Sequence, residues 1–259
     1  MSAPIVFVHG MFMTGSCWEP IAAHFTSLGH RCLTPSWPCR DGEPEALRAA
    51  PDPGLRALTL THVVDHMAAQ VEALDEPPIL VGHSMGGLIV QLLAQSGLGS
   101  RVVAIAPAPP HGVRSFAFSH LKSNSALLWP SSAPVVPSFS WFRYAFANQG
   151  SEDEARALYD TYAVPESRLV GRGPLGPEGK LDLTNAKQRM LFLSGSADHI
   201  IPAPLVQKVV DRHRAAGVDV SNEVLDGTHL MIRDERWSEV AAHIQRWLDA
   251  DLPAHASRA

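Results

Sequence analysis

Ile79-Leu80-Val81-Gly82-His83-Ser84-Met85-Gly86-Gly87-Leu88-Ile89-Val90 decides how the rest of the chain is read. A short apolar run leads into Gly-x-Ser-x-Gly, and Leu88, Ile89, Leu92 and Leu93 follow at helical spacing. The stretch reads as a buried strand, a tight turn and a helix. A serine in such a turn occupies a strained strand-to-helix corner, the nucleophile elbow, which exposes its hydroxyl at the carboxyl end of a sheet. Gly82 and Gly86 lack a Cβ, so strand and helix can approach closely. The helix start behind Ser84 aims free N–H groups and the positive end of its dipole at the reacting centre.

Strands and helices alternate on both sides of this corner. Ile5-Val6-Phe7-Val8 reads as a central parallel strand ending at His9-Gly10. Ser16-Cys17-Trp18-Glu19 then predicts a capping box with Ser16 as N-cap, and Ile21, Phe25 and Leu28 continue a helix that Gly29 stops. Residues 31–34 predict a strand, and residues 35–53, rich in proline, glycine and charge, a surface loop. Residues 59–74 predict an amphipathic helix with Leu60, Val63, Met67 and Val71 on one stripe. Residues 101–106 predict the strand after the elbow helix.

From residue 111 to residue 187 the rhythm stops. This segment carries many aromatics and prolines, a second capping box at Ser151-Glu152-Asp153-Glu154 opening a helix through Tyr159, and an apparent loop over residues 171–180. It is expected to form a helical cap over the sheet edge bearing the serine, the alternative being a second small helical core with no part in substrate choice. Residues 1–110 and 188–259 would then form the core. The rhythm resumes with a strand at residues 189–194, a helix at 204–216, a strand at 218–225 and a final helix carrying Trp237, Val240, Ile244, Trp247 and Leu248. The tail from residue 251 is expected to fray.

With 259 residues, 46% hydrophobic and 18% charged, the chain can bury a sizeable core. A formal net charge of −5 argues against nucleic acid or an anionic membrane as partner. No apolar run reaches the roughly 18 residues of a membrane span, and no signal-peptide pattern precedes Ile5, so cytoplasmic residence is expected. Cys17, Cys32 and Cys39 are an odd number and read as ordinary thiols, with a Cys32–Cys39 bridge possible but not demanded. His62 and His66 lie one helical turn apart without a third ligand, which predicts a helix-surface pair rather than a metal site.

Alternating strands and helices imply a mainly parallel sheet of about six strands with helices on both faces. In such sheets, sites lie beyond the carboxyl ends of the strands. His9-Gly10-Met11, Ser84, Asp198 and His229 all fall at such ends. A serine hydroxyl needs a base within hydrogen-bond reach. His229, in a glycine-containing turn after the last strand, is the candidate, and Asp198 would hold its other nitrogen and fix the tautomer. Asp226 is a weaker candidate acid because an Asp-Gly pair more often shapes a turn. His83 would point away from the cleft. Donors for a developing oxyanion are expected from the backbone N–H groups of Met85 and Met11, with His9 bracing the loop.

His9-Gly10-Met11-Phe12, Gly82-His83-Ser84-Met85-Gly86-Gly87, Gly195-Ser196-Ala197-Asp198 and Asp226-Gly227-Thr228-His229 together resemble the α/β-hydrolase superfamily over nearly the whole chain. The first two strands of the fuller family pattern are not found before Ile5, which looks like the compact esterase and lipase-like branch. The resemblance implies an α/β-hydrolase fold with a helical cap insertion. It also implies carboxylic-ester hydrolysis through an acyl-enzyme by Ser84, Asp198 and His229, with no metal or organic cofactor and a small-molecule ester as partner. Serine at position 84 is unlike the aspartate of haloalkane dehalogenases. Gly10 and Leu230 are unlike the threonine and lysine of plant-type hydroxynitrile lyases. Lactonases, thioesterases and cofactor-free perhydrolases share the triad, and a ligand receptor on the same fold can retain it. Phe12, Phe116, Trp141, Phe142 and Leu230 are the candidate substrate contacts, suited to a small or medium apolar ester. The oligomeric state is left open.

Overall fold

The strand read from the elbow motif is the third of six in one parallel sheet. A computed structural model describes residues 2–184 and 186–250, and the tail from residue 251 lies outside the described residues. The strands are β1 (Ile5–Val8), β2 (Cys32–Leu33), β3 (Ile79–His83), β4 (Arg101–Ile105), β5 (Arg189–Gly195) and β6 (Val220–Leu225). They lie in the order β2-β1-β3-β4-β5-β6, with every pairing parallel. β1 and β3 are buried along their whole length, as expected for strands covered on both faces.

The chain first steps from β1 outward to β2, then returns to the other side of β1 and proceeds through β3 to β6. The order therefore reverses between β1 and β3, and a crevice opens beyond their carboxyl ends. Register fixes what meets there. Val8 pairs with Gly82, so the segments leaving both strands, His9–Phe12 and Ser84, emerge side by side.

The helices in chain order are α1 (Glu19–Ser27), α2 (Pro44–Ala49), α3 (Leu60–Glu72), α4 (Met85–Gln95), α5 (Phe118–Leu128), α6 (Phe139–Ala145), α7 (Glu152–Tyr162), α8 (Arg168–Arg172), α9 (Ala203–Ala215) and α10 (Trp237–Asp249). The crossovers through α1 and α4 run in opposite directions along the sheet. A right-handed crossover then puts these helices on opposite faces. α1 packs against α10, and α3 against α4. Between β4 and β5 the described residues include α5 to α8.

Several local expectations need correction. The Ser16–Glu19 capping box does not form, because Gly15–Trp18 is a tight 3-10 turn that buries Cys17 and Trp18 and puts Glu19 at the first position of α1. The Ser16 hydroxyl instead pairs with that of Thr14 at 2.8 Å. The Ser151 box does form: the Ser151 N–H donates to Glu154 Oε2 at 2.7 Å, and Ser151 Oγ accepts from the Glu154 N–H at 3.2 Å.

Residues 35–53 are not a plain surface loop. They contain α2 and bury Trp37 and Arg40. α2 packs on α7, where Arg48 donates to the carbonyl of Ala163 at 2.6 Å and lies over the Tyr159 ring. A distant helix covers this segment, so its own polar composition is a poor guide to its burial. Residues 171–180 likewise hold the end of α8 and two 3-10 turns. The three cysteines are free thiols. His62 belongs to the capping box of α3, while His66 turns to the Ser36 carbonyl at 3.2 Å, so the two imidazoles serve separate local partners. Among the described residues no helix is long and apolar enough to cross a membrane.

Candidate active site

Ser84 has φ 56° and ψ −119°, backbone angles that a residue with a Cβ rarely adopts. Such strain persists only where the surroundings over-determine it. Here the Ser84 N–H is held by the Ile105 carbonyl at 2.9 Å, and its own carbonyl accepts from Gly87 and Ala108 at 2.9 and 2.8 Å. The two glycines are required by close approach. A Cβ on Gly82 would overlap the Gly86 carbonyl, and one on Gly86 would overlap the carbonyl oxygens of Val8 and His9. The elbow thus presses β3, α4 and the end of β1 together and lifts the serine at their junction.

Asp198 and His229 meet at this edge. His229 Nδ1 donates to Asp198 Oδ2 at 2.6 Å, and both side chains are fully buried. Asp198 Oδ1 accepts the backbone N–H groups of Ile200 and Ile201 at 2.7 and 2.8 Å. Both of its oxygens are therefore engaged, and in the tautomer with a proton on Nδ1 it is Nε2 of His229 that can accept one. The Asp226 carboxylate is turned to Ser196 and Arg236 instead. His229 Nε2 is buried with no hydrogen-bond partner among the described residues, and no hydrogen bond there joins Ser84 to His229.

His83 is buried behind the relay. Its Nε2 donates to the His229 carbonyl at 2.8 Å, and the two rings lie 4.7 Å apart. Burial, and then the proximity of His229, push its pKa well below the usual histidine value, so it stays neutral and acts as a support. His9 is braced in the same way. Its Nε2 accepts from the Trp37 N–H at 3.1 Å, which leaves Nδ1 to donate to the Gly10 carbonyl at 2.8 Å. Burial, and then the Arg40 guanidinium, lower its pKa to about 3.

The loop after β1 lies directly against the serine: a Cβ on Gly10 would sit 2.8 Å from Ser84 Cβ. Neither the Met11 nor the Met85 backbone N–H has a partner among the described residues. For Met85 this follows from its position as the first residue of α4.

Ser84, Met11, Met85 and Phe12 line a cavity of about 390 Å³ whose remaining walls are mostly apolar. Phe116 and Trp141 also line it, Phe116 from an exposed position at the rim. Phe142 and Leu230 do not. Phe142 is buried behind Phe146, stacked on its ring at 5.0 Å, and it is Phe146, one turn further along, that faces the cavity. Leu230 is buried and borders a separate hollow of about 560 Å³ lined by Tyr162, Arg233, Asp234 and Trp237. Counting apolar residues could not tell which side of α6 looks inward. The sequence reading also missed Leu121, Leu127, Ile200 and Ile201 on the wall. Among the described residues no group of three or more His, Cys, Asp or Glu side chains could hold a metal ion.

The sequence pattern of a family described as the alpha/beta hydrolase family matches residues 5–243. A carbendazim hydrolyzing esterase of Nocardioides sp. is 33% identical over 114 residues, which make up 42% of this chain and 44% of that protein. The chain thus matches less than half the length of this curated relative. An extracellular alpha/beta-hydrolase from a Paenibacillus species, described as sharing structural and functional homology with tobacco salicylic acid binding protein 2, has a TM-score of 0.71 and 25% identity, covering 95% of this chain and 98% of that one. A pyrethroid hydrolase from Sphingobium faniae has a TM-score of 0.70 at 16% identity, covering 96% of this chain and 98% of its own, a likeness of fold alone.

Proposed function

The chain belongs to the alpha/beta hydrolase family, and from that membership we propose that it is a carboxylic ester hydrolase acting through an acyl-enzyme on Ser84. The observation that carries this reading is the buried 2.6 Å bond from His229 to Asp198 beside a strained serine that opens onto a largely apolar cavity. In the mechanism, Ser84 Oγ attacks the ester carbonyl while His229 Nε2 takes its proton. Asp198 holds the imidazole in the required tautomer and stabilises the imidazolium. The carbonyl oxygen, now anionic, is received by the N–H groups of Met11 and Met85, each worth roughly 3–4 kcal/mol of barrier. The tetrahedral intermediate collapses as His229 returns the proton to the leaving alcohol. Water then repeats the sequence on the acyl-enzyme and releases the carboxylic acid.

Residues 111–187 act in this reading as the cap. Phe116, Leu121, Leu127, Trp141 and Phe146, all from that segment, line the cavity, which supports an apolar acyl or alcohol part of small to medium size. Carbendazim hydrolysis is named for the curated relative. The reaction type, and no particular substrate, is carried over to this chain. Lactones, thioesters and peroxide-dependent acyl transfer use the same groups and belong in the same screen.

The test is turnover of p-nitrophenyl esters of increasing chain length, with a phosphonate probe to label the nucleophile. Ser84→Ala is expected to lose turnover and labelling together. Turnover that survives this change, or labelling at another serine, overturns the assignment. Tight saturable binding of esters without any turnover would favour a receptor on the hydrolase fold.

A further inference from the structure

Phe12 adopts a φ of 64°, left-handed backbone that costs a residue with a Cβ. It is held there from several directions. Its N–H donates to Glu166 Oε2 at 3.2 Å, and its carbonyl accepts from the Val164 N–H at 3.0 Å. Its ring packs against Trp141 and Phe146, with centroids 4.8 and 6.3 Å away. All four of these residues belong to the segment inserted between β4 and β5, more than 120 positions along the chain.

Glu166 is itself immobilised and 0% exposed. Its backbone N–H and carbonyl pair with Val135 in an isolated antiparallel bridge, at 2.9 and 2.8 Å. Its Oε1 accepts the Ser167 N–H at 2.6 Å, and its Oε2 accepts Arg40 Nη2 at 2.6 Å as well as the Phe12 N–H. Arg40, 4% exposed, also donates from Nη1 to the Pro165 carbonyl at 2.7 Å. At the other end of the same loop, His9 is fixed by Trp37, whose ring lies under the Arg40 guanidinium. The four residues His9–Phe12 are thus pinned at both ends. Between the pins, the Met11 N–H has no partner among the described residues.

We propose that Glu166, oriented by Arg40, is a positioning residue for the oxyanion hole, fixing the Met11–Phe12 peptide so that the Met11 N–H is presented to the oxyanion formed on Ser84. The inference rests on the hydrolase reading above. The Phe12 N–H and the Met11 carbonyl share one peptide plane. The Met11 N–H lies in the preceding plane with the Gly10 carbonyl, which His9 Nδ1 holds, so anchoring the Phe12 N–H fixes the second of the two planes that meet at the Met11 Cα and keeps the first from rotating. The pairing with Arg40 has a second use, because an unpaired carboxylate here would oppose a negative charge developing one residue away. A buried ion pair can also do no more than tie the insertion to the core, and the test separates the two roles.

Glu166→Gln and the neutral pair Arg40→Gln with Glu166→Gln are compared with the wild-type chain on an ester that the wild type hydrolyses. Active sites are counted by phosphonate titration, so that kcat is per competent site. The double variant avoids leaving a buried guanidinium unpaired, and it serves if the single variant folds poorly. We expect kcat per titrated site to fall about 10- to 100-fold, the scale of a displaced catalytic contact, with KM little changed. Affinity for a trifluoromethyl ketone, whose hemiketal oxyanion mimics the intermediate, is expected to fall by the same factor. If per-site kcat and ketone affinity match the wild type while only the melting midpoint drops, the ion pair is structural and the proposal is overturned. A wild-type chain that hydrolyses no ester would instead overturn the hydrolase reading, and this inference with it.

Discussion

At the scale of single residues, the candidate relay depends on two oxygens of one carboxylate doing different work. Asp198 Oδ2 accepts from His229 while Oδ1 accepts two backbone N–H groups. An amide in its place can keep only one of these acceptors oriented and removes the charge that stabilises the imidazolium. Asp198→Asn is expected to lower kcat by about 10⁴-fold. Circular dichroism and phosphonate labelling measured alongside ester turnover check it: an unchanged rate would point to another acid. Ser84 and Asp198–His229 were legible in the sequence because each follows a recognisable strand and turn. Glu166 and Arg40 were not. Each lies in a segment with no periodic pattern, and they come together across 126 positions of chain.

At the scale of elements, local rules held where local groups supply the partners and failed where the core does. Ser151 and Glu154 satisfy each other at the start of α7, in solvent and away from competing contacts. Removing the hydroxyl by Ser151→Ala should cost about 1 kcal/mol. In a chain of this size that is a fall of about 2–4 °C in the melting midpoint. Calorimetry would read this, with per-site kcat expected to stay at the wild-type value. The same motif at Ser16–Glu19 lost to burial of Trp18, a side chain whose apolar surface outweighs one cap. Residues 35–53 and 171–180 show the same limit: their polar composition is that of a loop, but each contains a short helix or 3-10 turn and buries a few residues, Trp37, Arg40 and Leu47 in the first and Gly173, Pro174 and Gly179 in the second.

At the scale of the whole molecule, three buried histidines set the acid limit of the fold. Burial is the first cause that lowers the pKa of His9, His83 and His213 from the ordinary histidine value of 6.5. Below pH 6.5 the unfolded chain gains protons at these positions, and the folded chain takes them up only at lower pH. Stability is therefore full above about pH 6.5 and falls as the pH drops, by up to about 1.4 kcal/mol per pH unit for each histidine. Urea unfolding between pH 7.5 and 5.5, above the range where carboxylates titrate, should show the midpoint falling with pH. A flat or rising midpoint would contradict the neutral state of these groups in the native fold.

The sequence by itself determined the order of the six strands along the chain, the elbow and the positions of three chemical groups at strand ends. These follow from patterns of a few residues, whose periods and turn chemistry are set by backbone geometry. Only the tertiary structure decided which apolar side chains face the cavity, Phe146 but neither Phe142 nor Leu230, and what holds the loop that carries Met11. The side of a short helix that looks inward, and the partner of a buried charge, depend on packing between segments far apart in the chain. No local pattern encodes that packing.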